Sequence, residues 1–267
     1  MKLLKDIIDC SVFYRKLFHS KKTYSLLDFP VIDKDIYREN YWQLISEKHI
    51  SGAIKEAVIE HIAGDNSKHE TKLINSIGKS NVWIEATSGS TGQPFHLLKL
   101  DNERIALGLS LWGLRKRISP DVSPANFYAS VHQRTSERLK TEERFDEITF
   151  AEDELLTMKR RGVTFWHSTP RLMRLFSETA LRLDVNKRWP IKFIESNSQM
   201  LDEEARQEFQ YIYGADIFSN YGSHEFWTIG YECTNKCMHV SKDIILEIVD
   251  DNHRLVPVGE YGHVTVT

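Results

Sequence analysis

Three stretches of this chain carry residue types whose spacing suits chemistry. The first is Thr87-Ser88-Gly89-Ser90-Thr91-Gly92, four hydroxyl residues and two glycines in six positions. Glycine lets a backbone approach a ligand closely. Successive N–H groups in such a turn form an anion-binding nest, to which hydroxyls add donors. That suits nucleotide phosphates, although a polar hairpin loop has the same composition. No Gly-Lys-Ser/Thr follows and the next residues read as a strand, so this is not a Walker A loop. The second stretch is Asn220-Tyr221-Gly222-Ser223-His224-Glu225. An aromatic beside glycine offers a flat face next to open backbone, and Glu225 supplies the hard oxygen that Mg²⁺ prefers. Read alone, Tyr221 is equally a core edge and Glu225 a solvated charge. The third is Cys233-Thr234-Asn235-Lys236-Cys237-Met238-His239. Two thiols and an imidazole at this spacing can reach one structural Zn²⁺. No fourth ligand is evident locally, and two small buried cysteines are the plainer reading.

The first two strings, in this order, resemble the signatures of the adenylate-forming superfamily of acyl-CoA synthetases, adenylation domains and luciferases. Thr87 to Pro94 is similar to its Ser/Thr-Gly phosphate signature, and Tyr221-Gly222-Ser223-His224-Glu225 to its Tyr-Gly-x-x-Glu signature. The resemblance implies that Ser88, Ser90 and Thr91 face the β- and γ-phosphates, that Tyr221 lies against adenine, and that Glu225 ligands Mg²⁺. Ser196-Asn197-Ser198-Gln199 stands where the family has an adenine-contacting loop, so Ser198 and Gln199 join the expected ATP/AMP-binding residues with Asn220, Gly222 and Ser223. Gln199 replaces the usual glutamate, and Gln93 a common but variable lysine.

Flanking strings narrow the resemblance to the phenylacetate–CoA ligase and CapK-like branch. They are Phe13-Tyr14-Arg15, Phe29-Pro30-Val31-Ile32-Asp33-Lys34, Ser168-Thr169-Pro170-Arg171-Leu172, Glu232-Cys233 with His239, Asp243, Glu247 and Asp250, and Gly259-Glu260-Tyr261-Gly262-His263-Val264. The implied reaction joins a small carboxylic acid to ATP as an acyl-adenylate, with CoA as acceptor. The family continues into an Arg-x-x-Gly-Asp segment and a small domain bearing a catalytic lysine. The expectation is therefore a large N-terminal domain without that lysine domain, and the rival expectation is a catalytically silent binding or partner module.

These residues need a frame to position them. Residues 1–80 read as a mostly helical segment and 81–267 as a nucleotide-binding α/β core of the same domain. Asp33 is a candidate N-cap, and Gly52 to Ile62 has helical spacing. Val82–Ala86 and Phe95–Leu100 read as strands around the hydroxyl loop. Asp101–Arg117 reads as a helix, Val163–Trp166 as a strand, and Pro170 as the first turn of a helix. Ile191–Ile194 reads as a strand, and Asp202–Tyr213 as a helix stopped by Gly214. Ile244–Val249 and His263–Thr267 read as strands about a turn at Asp250–His253. Strands alternating with helices imply an α/β fold of mixed sheets flanked by helices, parallel first and antiparallel towards the end.

The bulk properties exclude some classes. A formal charge of -3 over 267 residues lacks the basic surplus of a dedicated nucleic-acid binder. No apolar run approaches the roughly 18 residues of a membrane span. The start, Met1-Lys2-Leu3-Leu4-Lys5-Asp6, lacks the features of a signal peptide. Three cysteines do not suggest a disulfide framework, so the expected home is a reducing cytoplasm.

Overall fold

The computed structural model describes residues 2–21, 23–46, 50, 52–63, 70–73, 80–86, 95–130, 147–189 and 191–267. They divide into two compact units, one of Met1–Ile105 with Glu247–Thr265, the other of Ala106–Leu246 with Val266–Thr267.

The first unit begins with helices α1 (Lys2–Cys10), α2 (Val12–Phe18), α3 (Lys34–Glu39), α4 (Tyr41–Leu44) and α5 (Gly52–Ala63). Asp33 caps α3 as expected, its carboxylate accepting from the Asp35 and Ile36 N–H groups at 3.0 and 2.8 Å. Strands β1 (Glu70–Leu73), β2 (Val82–Ala86) and β3 (His96–Leu100) form an antiparallel sheet. Its core packs Ile54 and Val58 of α5 with Val82 and Ile84 of β2. Glu85, buried on β2, is paired by Lys99 and by Arg104 Nη1 at 2.8 Å.

The second unit is built on a six-stranded sheet. Helix α6 (Asp101–Ile118) leads in, followed by β4 (Phe127–Ala129), α7 (Glu147–Arg160), β5 (Phe165–Ser168), α8 (Pro170–Leu183), α9 (Val185–Arg188), β6 (Phe193–Ser196), α10 (Glu203–Tyr213), β7 (Asp216–Tyr221), β8 (Gly230–Glu232) and β9 (Met238–Val240). Strands β4 to β7 are parallel, and β8 and β9 add on antiparallel. One face buries Trp166, Ile194 and Ile217 beneath Phe150, Leu155 and Met158 of α7, Met173 and Phe176 of α8, and Phe209 and Tyr213 of α10. The other face carries Phe193, Phe218 and Tyr231, packed by Leu111, Leu114 and Ile118 of α6.

Local signals set the helix ends. Thr169 Oγ1 accepts from Leu172 N–H at 3.2 Å ahead of Pro170. Asp202 accepts from Ala205 N–H at 2.7 Å, and Gly214 ends α10 with φ 65°. A side chain at Gly214 would meet Asn186 Cβ at 2.9 Å. Finally, β10 (Leu246–Val249) and β11 (His263–Val266) form a two-stranded sheet. The mixed α/β class is as expected and the six-stranded sheet does pass from parallel to antiparallel, but the expected order fails at the start, where β1, β2 and β3 pair antiparallel throughout.

Candidate functional site

In a parallel sheet flanked by helices, ligands gather outside the carboxyl ends of the strands. The second unit brings there the loops that follow β5, β6 and β7. These hold Ser198 and Gln199 after β6, and Gly222, Ser223 and Glu225 after β7, which ends on Asn220 and Tyr221.

The loop after β7 explains its own glycine. Ser223 C=O accepts from Trp227 N–H at 2.8 Å, and Tyr221 C=O accepts from Ile229 N–H at 2.7 Å. The chain therefore folds back onto Gly222, where a Cβ would stand 2.1 Å from Trp227 O and 2.8 Å from its carbonyl carbon. Only glycine fits there. Beside it Tyr221 stays 46% exposed, an open ring next to bare backbone. Glu225 sits half-buried in the following turn, with no hydrogen-bond or ion-pair partner among the described residues. A single unpaired carboxylate fits Mg²⁺, which is commonly held by one or two carboxylates plus substrate phosphates.

The loop after β6 is tied to its neighbours. Ser198 adopts φ 66°, a conformation L side chains seldom take. Gln199 N–H donates to Asn197 O at 2.8 Å. The Gln199 side-chain oxygen accepts from Arg171 N–H, at the start of α8, at 3.1 Å.

Beneath these loops lies a cluster that sequence reasoning missed. Glu195, on β6, is wholly buried. Arg115 of α6 grips it with two N–H groups at 2.6 and 3.0 Å. His167 Nδ1 meets it at 2.9 Å, Asn220 Nδ2 donates to it at 3.0 Å, and Tyr231 O–H donates at 3.0 Å. His167 Nε2 in turn meets Asn197 Nδ2 at 3.0 Å. His167 thus bridges the buried carboxylate and the Asn197 amide. A signal existed: a carboxylate between Ile194 and Ser196 in an apolar strand must find partners, because unpaired buried charge is very costly.

Burial pushes the Glu195 carboxyl up, but the His167 imidazole and the Arg115 guanidinium outweigh it and hold it far below the usual carboxylate range. Its folded pKa thus lies below the unfolded value of roughly 4.3. The stability it contributes is fully present above that value and is lost as pH falls towards the folded one. Urea unfolding from pH 6 to pH 3 is therefore expected to show the advantage of wild type over Glu195→Gln shrinking as the solution becomes more acid.

A second ion pair braces β7 from elsewhere. Arg206 of α10 meets Glu232 at 3.0 Å through both terminal nitrogens and donates to Ile217 O at 2.6 Å. Glu232 also accepts from Ser219 N–H at 2.8 Å. Glu232 thus fixes the backbone immediately before Asn220.

Thr87, Ser88, Gly89, Ser90, Thr91 and Gly92 lie outside the described residues. Cys233, Cys237 and His239 share the β8–β9 hairpin, where Cys233 N–H donates to Cys237 O at 2.9 Å. Hydrogen bonds from the Cys237 backbone and the His239 side chain hold the Cys233 thiol down at about 7. Among the described residues no group of three or more His, Cys, Asp or Glu side chains is placed to hold a metal ion. Nor is any described helix long and apolar enough to cross a membrane. An open depression lined by Lys192, Phe193, Gln210, Gly214, Ala215 and Asp216 lies at the amino ends of β6 and β7, away from the loops above.

No family model matches the sequence, and no curated protein matches it. Solved structures do. A 2-hydroxyisobutyryl-CoA ligase, in an open conformation with 2-HIB-AMP and CoA, superposes on all of this chain and 58% of its own at 15% identity, TM-score 0.67. The anthranilate CoA ligase AuaEII, in complex with anthranoyl-AMP, matches 68% of this chain and 38% of its own at 16% identity, TM-score 0.51. The acyl-CoA synthetase of Brucella canis matches 68% of this chain and 36% of its own at 19% identity, TM-score 0.50. The chain thus spans between 36% and 58% of the length of these three. At such identities the likeness is one of fold, and that fold is the mixed α/β architecture of the N-terminal domains of adenylate-forming ligases.

Proposed function

We propose that this chain carries the nucleotide-binding part of an adenylate-forming enzyme, in which a small carboxylic acid reacts with ATP. The observation that carries the reading is the open Tyr221 ring beside the bare backbone of Gly222, at the carboxyl end of a parallel sheet and next to the Ser198–Gln199 loop. Tyr221 stacks on the adenine, while Ser198, Gln199, Asn220, Gly222 and Ser223 surround it. The hydroxyl loop from Thr87 to Gly92 takes the phosphates. The carboxylate oxygen of the acid attacks the α-phosphorus, and the bond to the bridging oxygen breaks. Acyl-adenylate and pyrophosphate result. A thiol such as that of CoA then displaces AMP. The protein's contribution is positioning and charge stabilisation.

Within the superfamily the flanking strings favour the phenylacetate–CoA ligase and CapK-like branch, and hence an aryl or short organic acid. Three free cysteines suit a reducing cytoplasm. Mg²⁺, when bound at Glu225, neutralises phosphate charge. Glu225→Gln is therefore expected to weaken Mg-ATP at least tenfold while leaving Mg-free AMP within about twofold, since losing an interaction of about 1.4 kcal/mol is a factor of ten. Calorimetry with the two ligands checks this, and equal weakening of both assigns Glu225 a structural role.

The function itself is tested by ATP and AMP binding together with pyrophosphate exchange across a panel of acids. Saturable AMP binding with acid-dependent exchange is the expected result. Nucleotide binding without exchange for any acid returns the reading to a silent binding module. Absence of nucleotide binding overturns both.

A further inference from the structure

We infer that Glu195 is a positioning residue, which holds the two loops flanking the nucleotide base through His167 and Asn197 on one side and Asn220 on the other. This rests on the function proposed above.

A wholly buried carboxylate is seldom the most stable solution, because apolar residues of similar volume often do as well or better. Its presence calls for another reason, and the partners supply one. They come from five places: Arg115 on α6, His167 on β5, Asn220 on β7, Tyr231 on β8, and, through His167, Asn197 after β6. Two of these lines lead outwards. One reaches Asn197, next to Ser198, whose φ of 66° is a conformation that persists only where its surroundings hold it. The other reaches Asn220, next to Tyr221.

Asn220 supplies an independent observation. Its Nδ2 is committed to Glu195, while its Oδ1 is buried and has no partner among the described residues. A buried acceptor without a donor is uncommon in a folded protein. Anchored by Glu195, the amide keeps that acceptor in a fixed orientation at the strand end where the base is placed. The Glu195 cluster therefore acts on the base side of the site.

The test uses Glu195→Gln and, because a core variant can fail to fold, Asn197→Ala at a half-exposed position. AMP and tripolyphosphate affinities are measured for each, with hydrogen exchange across 197–202 and 221–228. The expected result is AMP binding at least tenfold weaker in both variants, tripolyphosphate within twofold of wild type, and faster exchange across 197–200 in Asn197→Ala. A folded Asn197→Ala protein with wild-type AMP affinity overturns the inference. So does one that loses AMP and tripolyphosphate alike. If wild type binds no AMP, the proposed function fails, and exchange then decides the positioning separately: unchanged rates across 197–200 overturn that too.

Discussion

Glu195→Ala is expected to cost about 3–5 kcal/mol of folding stability, the usual penalty for removing one partner of a buried ion pair. The reason is what remains. Arg115 is only 7% exposed, and both nitrogens that grip the carboxylate lose their acceptor. Asn220 Nδ2, Tyr231 O–H and His167 Nδ1 lose theirs as well. The double variant Glu195→Leu with Arg115→Met removes both charges together. It should recover most of the loss, because a buried pair replaced by packed apolar groups is often neutral or better. Its nucleotide affinity should nevertheless stay low, since the anchors of Asn197 and Asn220 are gone. Urea unfolding and AMP titration of the two variants beside wild type separate the charge penalty from the site's geometry. A single variant as stable as wild type would mean that Arg115 finds another acceptor.

Gly222→Ala is expected to lower nucleotide affinity at least tenfold and stability by about 1–3 kcal/mol, the range for forcing extra volume into a packed place. The added Cβ would stand 2.1 Å from Trp227 O. That neighbour is backbone, so no side chain can swing aside, and the turn over residues 223–227 must move with Glu225 in it. Gly113→Ala is the control. It lies in α6 with nothing within 4 Å of the added carbon, so it should be neutral or stabilise by about 0.4–1 kcal/mol through the unfolded chain. Thermal unfolding and AMP titration on the pair check both. Equal behaviour of the two glycine variants would contradict the close approach at Gly222.

What the sequence made legible was local. Asp33, Pro170, Asp202 and Gly214 each act within a turn of their own position, and each bounds its helix in the structure. Tyr221 and Gly222 were found because they are adjacent. Strand edges drifted by two residues: apolar runs at Val163–Trp166 and Ile191–Ile194 became Phe165–Ser168 and Phe193–Ser196. The apolar run reports burial, whereas the strand ends where pairing ends, and pairing carries on through His167, Ser168, Glu195 and Ser196. Strand β1 has no counterpart in the sequence reading; Glu70–Leu73 has no periodicity, and its pairing with β2 defines it. Glu195 alone signals a need for partners, but which residues supply them is illegible for the same reason. Arg115 and Glu195 are 80 residues apart, and no spacing rule joins a helix residue to a strand residue across a sheet.

Hydrogen exchange with and without saturating ATP tests the central claim most directly, because it locates the nucleotide on the chain. The account requires slowed exchange at the ends of β6 and β7, across 196–200 and 220–228, with little change at the amino ends of those strands around 192 and 214–216. Protection confined to those amino ends, or ATP binding that leaves 220–228 exchanging as in the free protein, would contradict it.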